Sequence, residues 1–415
     1  MRCTYKHMEN ATSDMRQEKG RALARDKRIK RIAGATWAVP SQGGATAYLV
    51  NEMAATCSCP DYETRRVKCK HMWAVEIVKT VETAADGTQV TTESVKIVRK
   101  TYTQNWSAYN AAQVAEKETA MTLLRSLCEG VQTPARKVRG RKPVAYSDAA
   151  YAMTMKVWTT VSGRRANGDI NACAEDGHLS REVSYNSLFD YFDKPEMTPI
   201  LTGLVEASAA PLASVETAFA VDSTGFSTSV YRRWFDAKYG KEMAESTWLK
   251  AHAMVGTTTN VVTSINVTDS SGADSPELPA LVASTARRFT MAEVSADKAY
   301  LGHANLAAIE AIGAVPFVPF KSNSRSAGSP AWRRMWGLFM YRQDEFLAAY
   351  HKRSNVEATF SAIKRKFGGS VRSKKFTAQV NEVLCKVLCH NLSCLVMAMH
   401  ELGIEPDFGG GKVAA

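Results

Sequence analysis

The chain has 415 residues, 45% of them apolar and 23% charged, which suits two or three globular domains that fold without disulfides. Its 53 Lys and Arg against 41 Asp and Glu leave a formal charge of +12, favouring a polyanionic partner, nucleic acid before an anionic membrane. No run of 18 apolar residues occurs, Met1 to His7 lead into no apolar stretch, and the nine cysteines are odd in number; the expectation is a reducing, cytoplasmic setting with no membrane span.

Residues 1–31 hold ten Lys or Arg against Glu9, Asp14, Glu18 and Asp26 and have few large apolar side chains. They read as a basic arm, poorly packed or an exposed helix. The alternation from Thr36 to Val50 about Gly43-Gly44 predicts a β-hairpin.

Cys57, Cys59, Cys69 and His71 follow, in the pattern C-x-C-x9-C-x-H. Three thiolates and an imidazole are the four N and S donors that tetrahedral zinc takes, and a closed set of four leaves no position for water, so the metal would be structural. With the hairpin ahead and a helix over about Lys70 to Thr80 behind, the segment resembles the SWIM zinc finger, here given residues 32–83. Arg65, Arg66, Lys68 and Lys70 fall within or beside the metal loop and would present positive charge to DNA or to a second protein.

Residues 84–130 are read as a connector with a strand-like Val95–Val98 and a helix from about Ala108. A basic linker, 131–146, contains Arg139-Gly140-Arg141, which resembles the core of an AT-hook, an extended segment that lies in a narrow minor groove. Residues 147–215 show several short helical patterns, one of them capped by Ser184, and are read as a helical DNA-binding region.

From residue 216 the pattern changes to α/β. Ala218–Phe226 reads as a buried strand that ends in Asp222 and a Gly turn, two strands follow over about 252–257 and 261–268, and Leu278–Arg288 reads as helix. A short strand then ends in Asp297, followed by a helix near 305–312, a strand over 315–320 and the basic loop 321–325. A carboxylate at the tip of a central strand is costly unless a cation shares it.

The stretch from Tyr350 to Lys364 lacks Pro and Gly and reads as one helix. At about 100° per residue, Tyr350, Arg353, Glu357 and Lys364 fall on one narrow face. That spacing resembles the Tyr-Arg-Glu-Lys signature of DDE-type insertion-sequence transposases, and Asp297-Lys298-Ala299-Tyr300 resembles the second-aspartate motif of the same proteins, with Ala299 where Gly is usual.

The resemblance implies an RNase H-like catalytic domain over residues 216–402, a mixed α/β fold, followed by a flexible tail, 403–415. It implies a DNA transposase that holds two Mg²⁺ ions, or Mn²⁺, on Asp222, Asp297 and Glu357, cuts DNA at the ends of its mobile element and joins them to target DNA, as a homodimer. Tyr350, Arg353, Lys364, Arg365, Lys366, Arg139 and Arg141 are then the expected DNA contacts. Glu310, Asp344 and Glu345 lack the context of the three acids; Trp332 and Trp336 are expected in the core, as is the helix with Cys385, Cys389, His390 and Cys394. The alternative is a zinc-dependent DNA-binding regulator without cleavage activity.

Overall fold

The computed structural model describes residues 16–25, 29–41, 47–82 (backbone only from 79), 105–134, 143–228 and 248–408. The strand expected at Val95–Val98, the Arg139-Gly140-Arg141 segment and the end of the tail lie outside them. The chain divides into two compact units, Met1–Tyr102 and Thr103–Ala415.

In the first unit, strands β1 (Lys30–Ala33), β2 (Thr36–Pro40), β3 (Ala47–Asn51) and β4 (Thr56–Cys57) form an antiparallel sheet in that order. Trp37 pairs with Val50 across the β2/β3 hairpin, and both are buried with Val39. Helix α1 (16–24) precedes the sheet. The sequence reading made this segment part of a basic arm, poorly packed or an exposed helix; it is a helix, but not merely an exposed one, since Leu23 is buried in the unit's core and Arg16 forks onto Asp61 at 3.1 and 3.3 Å. A single buried leucine among basic residues leaves no periodicity to read. Helices α2 (Pro60–Arg65) and α3 (Lys70–Glu82) complete the unit.

The second unit opens with helices α4 (Trp106–Glu129), α5 (Tyr146–Trp158), α6 (Gly163–Glu175), α7 (Tyr185–Phe192) and α8 (Met197–Ala209). Ser184 caps α7 by accepting the Ser187 N–H at 3.3 Å, as the cap-then-apolar pattern predicts. These helices share one continuous core with the sheet that follows.

That sheet has the order β7-β6-β5-β8-β9. Strands β5 (Ala218–Ser227), β6 (Trp248–Gly256) and β7 (Val262–Asp269) run antiparallel, while β8 (Glu293–Ala296) and β9 (Val315–Phe317) run parallel to β5. Helices α9 (Leu278–Ala286) and α10 (His303–Ala311) serve the crossovers that parallel strands need. Then come α11 (Pro330–Tyr341), α12 (Gln343–Tyr350), α13 (Ser354–Phe367) and α14 (Phe376–Leu402). This is the mixed sheet that the sequence reading expected.

Helix α14 is long and apolar enough to cross a membrane, but 72% of its most apolar window is buried inside the unit, which marks it as a core helix. Cys385 and Cys389 are fully buried there. Asn391 ties it to two neighbours, accepting from Val262 N at 2.9 Å and donating to Val262 O at 2.7 Å and Val205 O at 3.2 Å.

Two elements differ from their sequence reading. Strand β5 does not end at Asp222 but runs on through Gly225 to Ser227, paired with β6 throughout; only its parallel partner β8 stops, at Ala296 opposite Val221. The expected continuous helix from Tyr350 is broken by a 3-10 turn over His351–Arg353, so Tyr350 ends α12 and Glu357 lies in the first turn of α13.

Candidate active site and zinc centre

Asp222 sits where β8 ends and the pairing of β5 becomes one-sided. Its carboxylate is about one-fifth exposed and accepts the Ser223 N–H at 2.8 Å. Asp297 follows the last residue of β8 and accepts the Lys298 N–H at 2.6 Å, capping a 3-10 turn. The parallel register of Val221 with Ala296 therefore places the two aspartates beside each other.

Arg353 joins the third acid to them. Its guanidinium donates from Nη1 to Asp222 Oδ2 and from Nη2 to Glu357 Oε1, so one planar fork spans 131 residues of sequence. Burial pushes the Asp222 carboxyl above its usual range, and the charges of Glu357 and Asp297 push it further, against the Ser223 N–H and Arg353. A carboxylate destabilised by two others is a place where a cation is stabilised.

Of the remaining residues of the stripe, Lys364 reaches the same strand. Lys364 Nζ donates to Thr224 Oγ1 at 2.7 Å, two residues beyond Asp222, and lies 5.5 Å from the Phe226 ring. Tyr350 stands 6.0 Å from the Arg353 guanidinium. The turn at 351–353 thus does not disperse the four side chains. Arg365 is exposed on α13, whereas Lys366 is engaged by Glu116 of α4 and by Ser393 at 3.0 Å.

Glu310 pairs with Arg334 and Glu345 with Arg342. Trp332 is 9% exposed, donates to Arg325 O at 2.8 Å and stacks on His303.

Sequence reasoning missed the layer behind the strand tip. His252, paired with Ser223 in the β5/β6 register, is fully buried, with Nδ1 3.3 Å from Asp274 Oδ1 and Nε2 3.0 Å from Thr268 Oγ1. Asp274 also takes Lys250 at 2.8 Å. Tyr300, 1% exposed, is pushed above its usual range by burial, then by Asp274 and Asp222. Only the Tyr of the Asp297–Tyr300 motif was visible beforehand; a His, an Asp and a Lys at no regular spacing leave no signal.

In the first unit, Cys57 ends β4, Cys59 caps α2 and His71 lies in the first turn of α3, just after Cys69. Their ligand atoms all lie within 4.8 Å of one another, and all four residues are buried. His71 Nδ1 is 3.9 Å from both the Cys57 and Cys69 sulfurs, so Nδ1 is the nitrogen turned to the thiols. The hydrogen bond between Cys57 and Cys69 lowers the Cys69 thiol's pKa and raises that of Cys57, so the pair favours a thiolate on Cys69. The donor set fits a structural zinc ion. Lys68 of the metal loop pairs with Glu76 and lies 3.6 Å from the Trp73 ring, and Arg65 pairs with Asp61 at 3.4 Å.

Comparison with known families gives two matches. Residues 213–392 match the model of the transposase DDE domain, and residues 42–79 match that of the SWIM zinc finger.

Proposed function

From a chain that is a DDE transposase with an N-terminal SWIM zinc finger, we propose that it binds the ends of its own mobile element, cuts the DNA there and joins the freed 3′ ends to target DNA. Asp222, Asp297 and Glu357 are the acids that hold the divalent ions. What supports this is Arg353 bridging Asp222 to Glu357, with Asp297 at the end of the strand beside Asp222.

The donors are hard carboxylate oxygens, partly open to solvent, which fits Mg²⁺ or Mn²⁺. Bound there, two such ions supply activation of a water or 3′-hydroxyl and stabilisation of the leaving oxygen. The chain's own residues do the rest by position and charge. Asp222, beside Asp297 in the sheet and linked to Glu357 through Arg353, would hold the ions together with those two acids.

Arg353 is already oriented at the acids, and its fork takes a phosphate when DNA enters. Lys364, held on Thr224, contributes a point charge, Tyr350 a hydroxyl or ring, and Arg365 continues the basic track. Lys366 joins that track by exchanging Glu116 for a phosphate. Arg139 and Arg141 follow the minor groove, and the zinc finger adds a second contact. Holding two ends at once calls for a homodimer on DNA, acting on DNA in the cytoplasm.

The test is nicking of a duplex that carries the sequence flanking the protein's own gene. In Mg²⁺ or Mn²⁺ the protein nicks at the element boundary, leaves a 3′-hydroxyl and stops on addition of EDTA. Tight binding to the same duplex with no nicking in either metal contradicts the proposal and moves the function to the finger and the basic linker.

A further inference from the structure

Helix α14 carries charges where a core helix has no need of them. Lys386 and Glu382 are 3% and 2% exposed, and Lys156 of α5, 6% exposed, lies 4.0 Å from Glu382. Two ammonium groups and one carboxylate in an interior are costly, and apolar residues of similar volume are often at least as stabilising.

Their partners show what they hold. Lys386 Nζ donates to Phe367 O, to Gly368 O at 2.9 Å and to Ser370 O at 3.1 Å. It therefore sits on the C-terminal carbonyls of α13, the negative end of the helix that carries Glu357, which offsets the second positive charge of the cluster. Gly368 turns the chain there at φ +88°.

Glu382 accepts from Arg372 N at 3.1 and 3.0 Å, from Ser373 N at 2.9 Å and from Ser373 Oγ at 2.7 Å. Between the two clamps the segment pairs with the end of β5, Ser227 N donating to Gly369 O at 3.1 Å and Val371 N to Ser227 O at 2.8 Å. Ser227 lies five residues beyond Asp222 on the same strand.

We propose that Lys386 and Glu382 are positioning residues that lock the exit of the Glu357 helix and the basic segment after it onto the Asp222 strand. Lys364, Arg365 and the exposed Arg372 are thereby presented to the DNA backbone as one set. Neither α14 residue touches DNA; each acts through backbone groups of 367–373. The proposal rests on the reading of the protein as one that acts on DNA.

Counterion release makes it measurable, since each phosphate contact adds about −0.9 to the slope of log K against log salt. The measurement is the affinity of the full chain for a short duplex at several KCl concentrations. Native protein, Lys386→Met, Glu382→Gln and the double variant Lys364→Ala, Arg372→Ala are compared, with denaturant unfolding of each.

The double variant calibrates the direct loss at about two contacts of slope. Lys386→Met, which strands three carbonyls, is expected to flatten the slope by a similar amount, and Glu382→Gln, which keeps one acceptor oxygen, by about half as much. A merely structural pair lowers the unfolding midpoint and leaves the slope of the folded protein native, and that result overturns the proposal. Should Lys386→Met not fold, Glu382→Gln decides alone, a native slope overturning it and a flattened one supporting it. Native protein with no salt-dependent binding sinks the DNA reading itself, a result distinct from native binding that the α14 variants leave intact.

Discussion

Arg353 is the residue that ties two of the three acids together, because its two nitrogens reach Asp222 and Glu357 at once. Arg353→Lys retains a charge and loses the fork. We expect it to slow single-turnover nicking by about 10- to 100-fold, the loss of one oriented cationic contact at a charge-developing centre, with duplex affinity changed by only a few fold. An unchanged nicking rate contradicts the role. The sequence singled out the three acids by motif and by an expected strand tip or helix face, but for Asp222 the strand runs on to Ser227 and only the neighbouring β8 ends beside it. The pairing of Arg353 with Asp222 was not legible, because it joins positions 131 residues apart. Lys386 and Glu382 were still less legible, since a charged residue on a helix ordinarily marks its solvated face, and only the packing shows that both faces of α14 are buried.

At the scale of elements, the sheet order and most helices followed from periodicity and caps, and the departures have physical causes. The helix from Tyr350 breaks at 351–353 although no Pro or Gly stands there; instead Lys352 is drawn to Glu293 at 2.6 Å and Arg353 to Asp222, contacts that a helical pattern does not contain. Strand β5 runs past Asp222 because β6 pairs with it as far as Ser227.

Asn391→Leu strands Val262 N and O in the core and is expected to cost about 1–3 kcal/mol for each group left unpaired, read as a lowered midpoint in urea. Glu382 has burial working to raise its pKa, yet Lys156, Ser373 and the Arg372 N–H together hold it below the ordinary value. A depressed carboxyl adds stability above its unfolded pKa and loses it as pH falls through the folded one. Native protein should therefore lose stability below about pH 4.5, and Glu382→Gln should be less stable at pH 7 with a shallower acid limb; parallel pH profiles of the two proteins would refute this.

Over the whole molecule, the division at residues 102 and 103 separates a small core organised about a close group of three Cys and one His from the larger unit. A sheet of four short strands and three helices buries little apolar surface of its own, so the zinc carries much of the fold of the first unit. Calorimetry should show two transitions, of which a zinc chelator or Cys69→Ala removes only the smaller. A chelator that shifts both by the same amount contradicts independent units. That the first unit binds a structural metal was legible from four residues; that α1 packs onto it was not.

On the proposed function, Asp222, Asp297 and Glu357 form one metal-dependent phosphoryl-transfer centre. The measurement that tests it most directly is single-turnover nicking of the element-end duplex in Mg²⁺ by the native protein and by Asp222→Asn, Asp297→Asn and Glu357→Gln, with duplex affinity measured alongside. Each substitution is expected to lower the rate by about 1,000-fold or more while affinity stays within a few fold of native. Any one of the three cutting at the native rate would remove that acid from the centre, and native-rate cutting by all three would place the chemistry elsewhere in the chain.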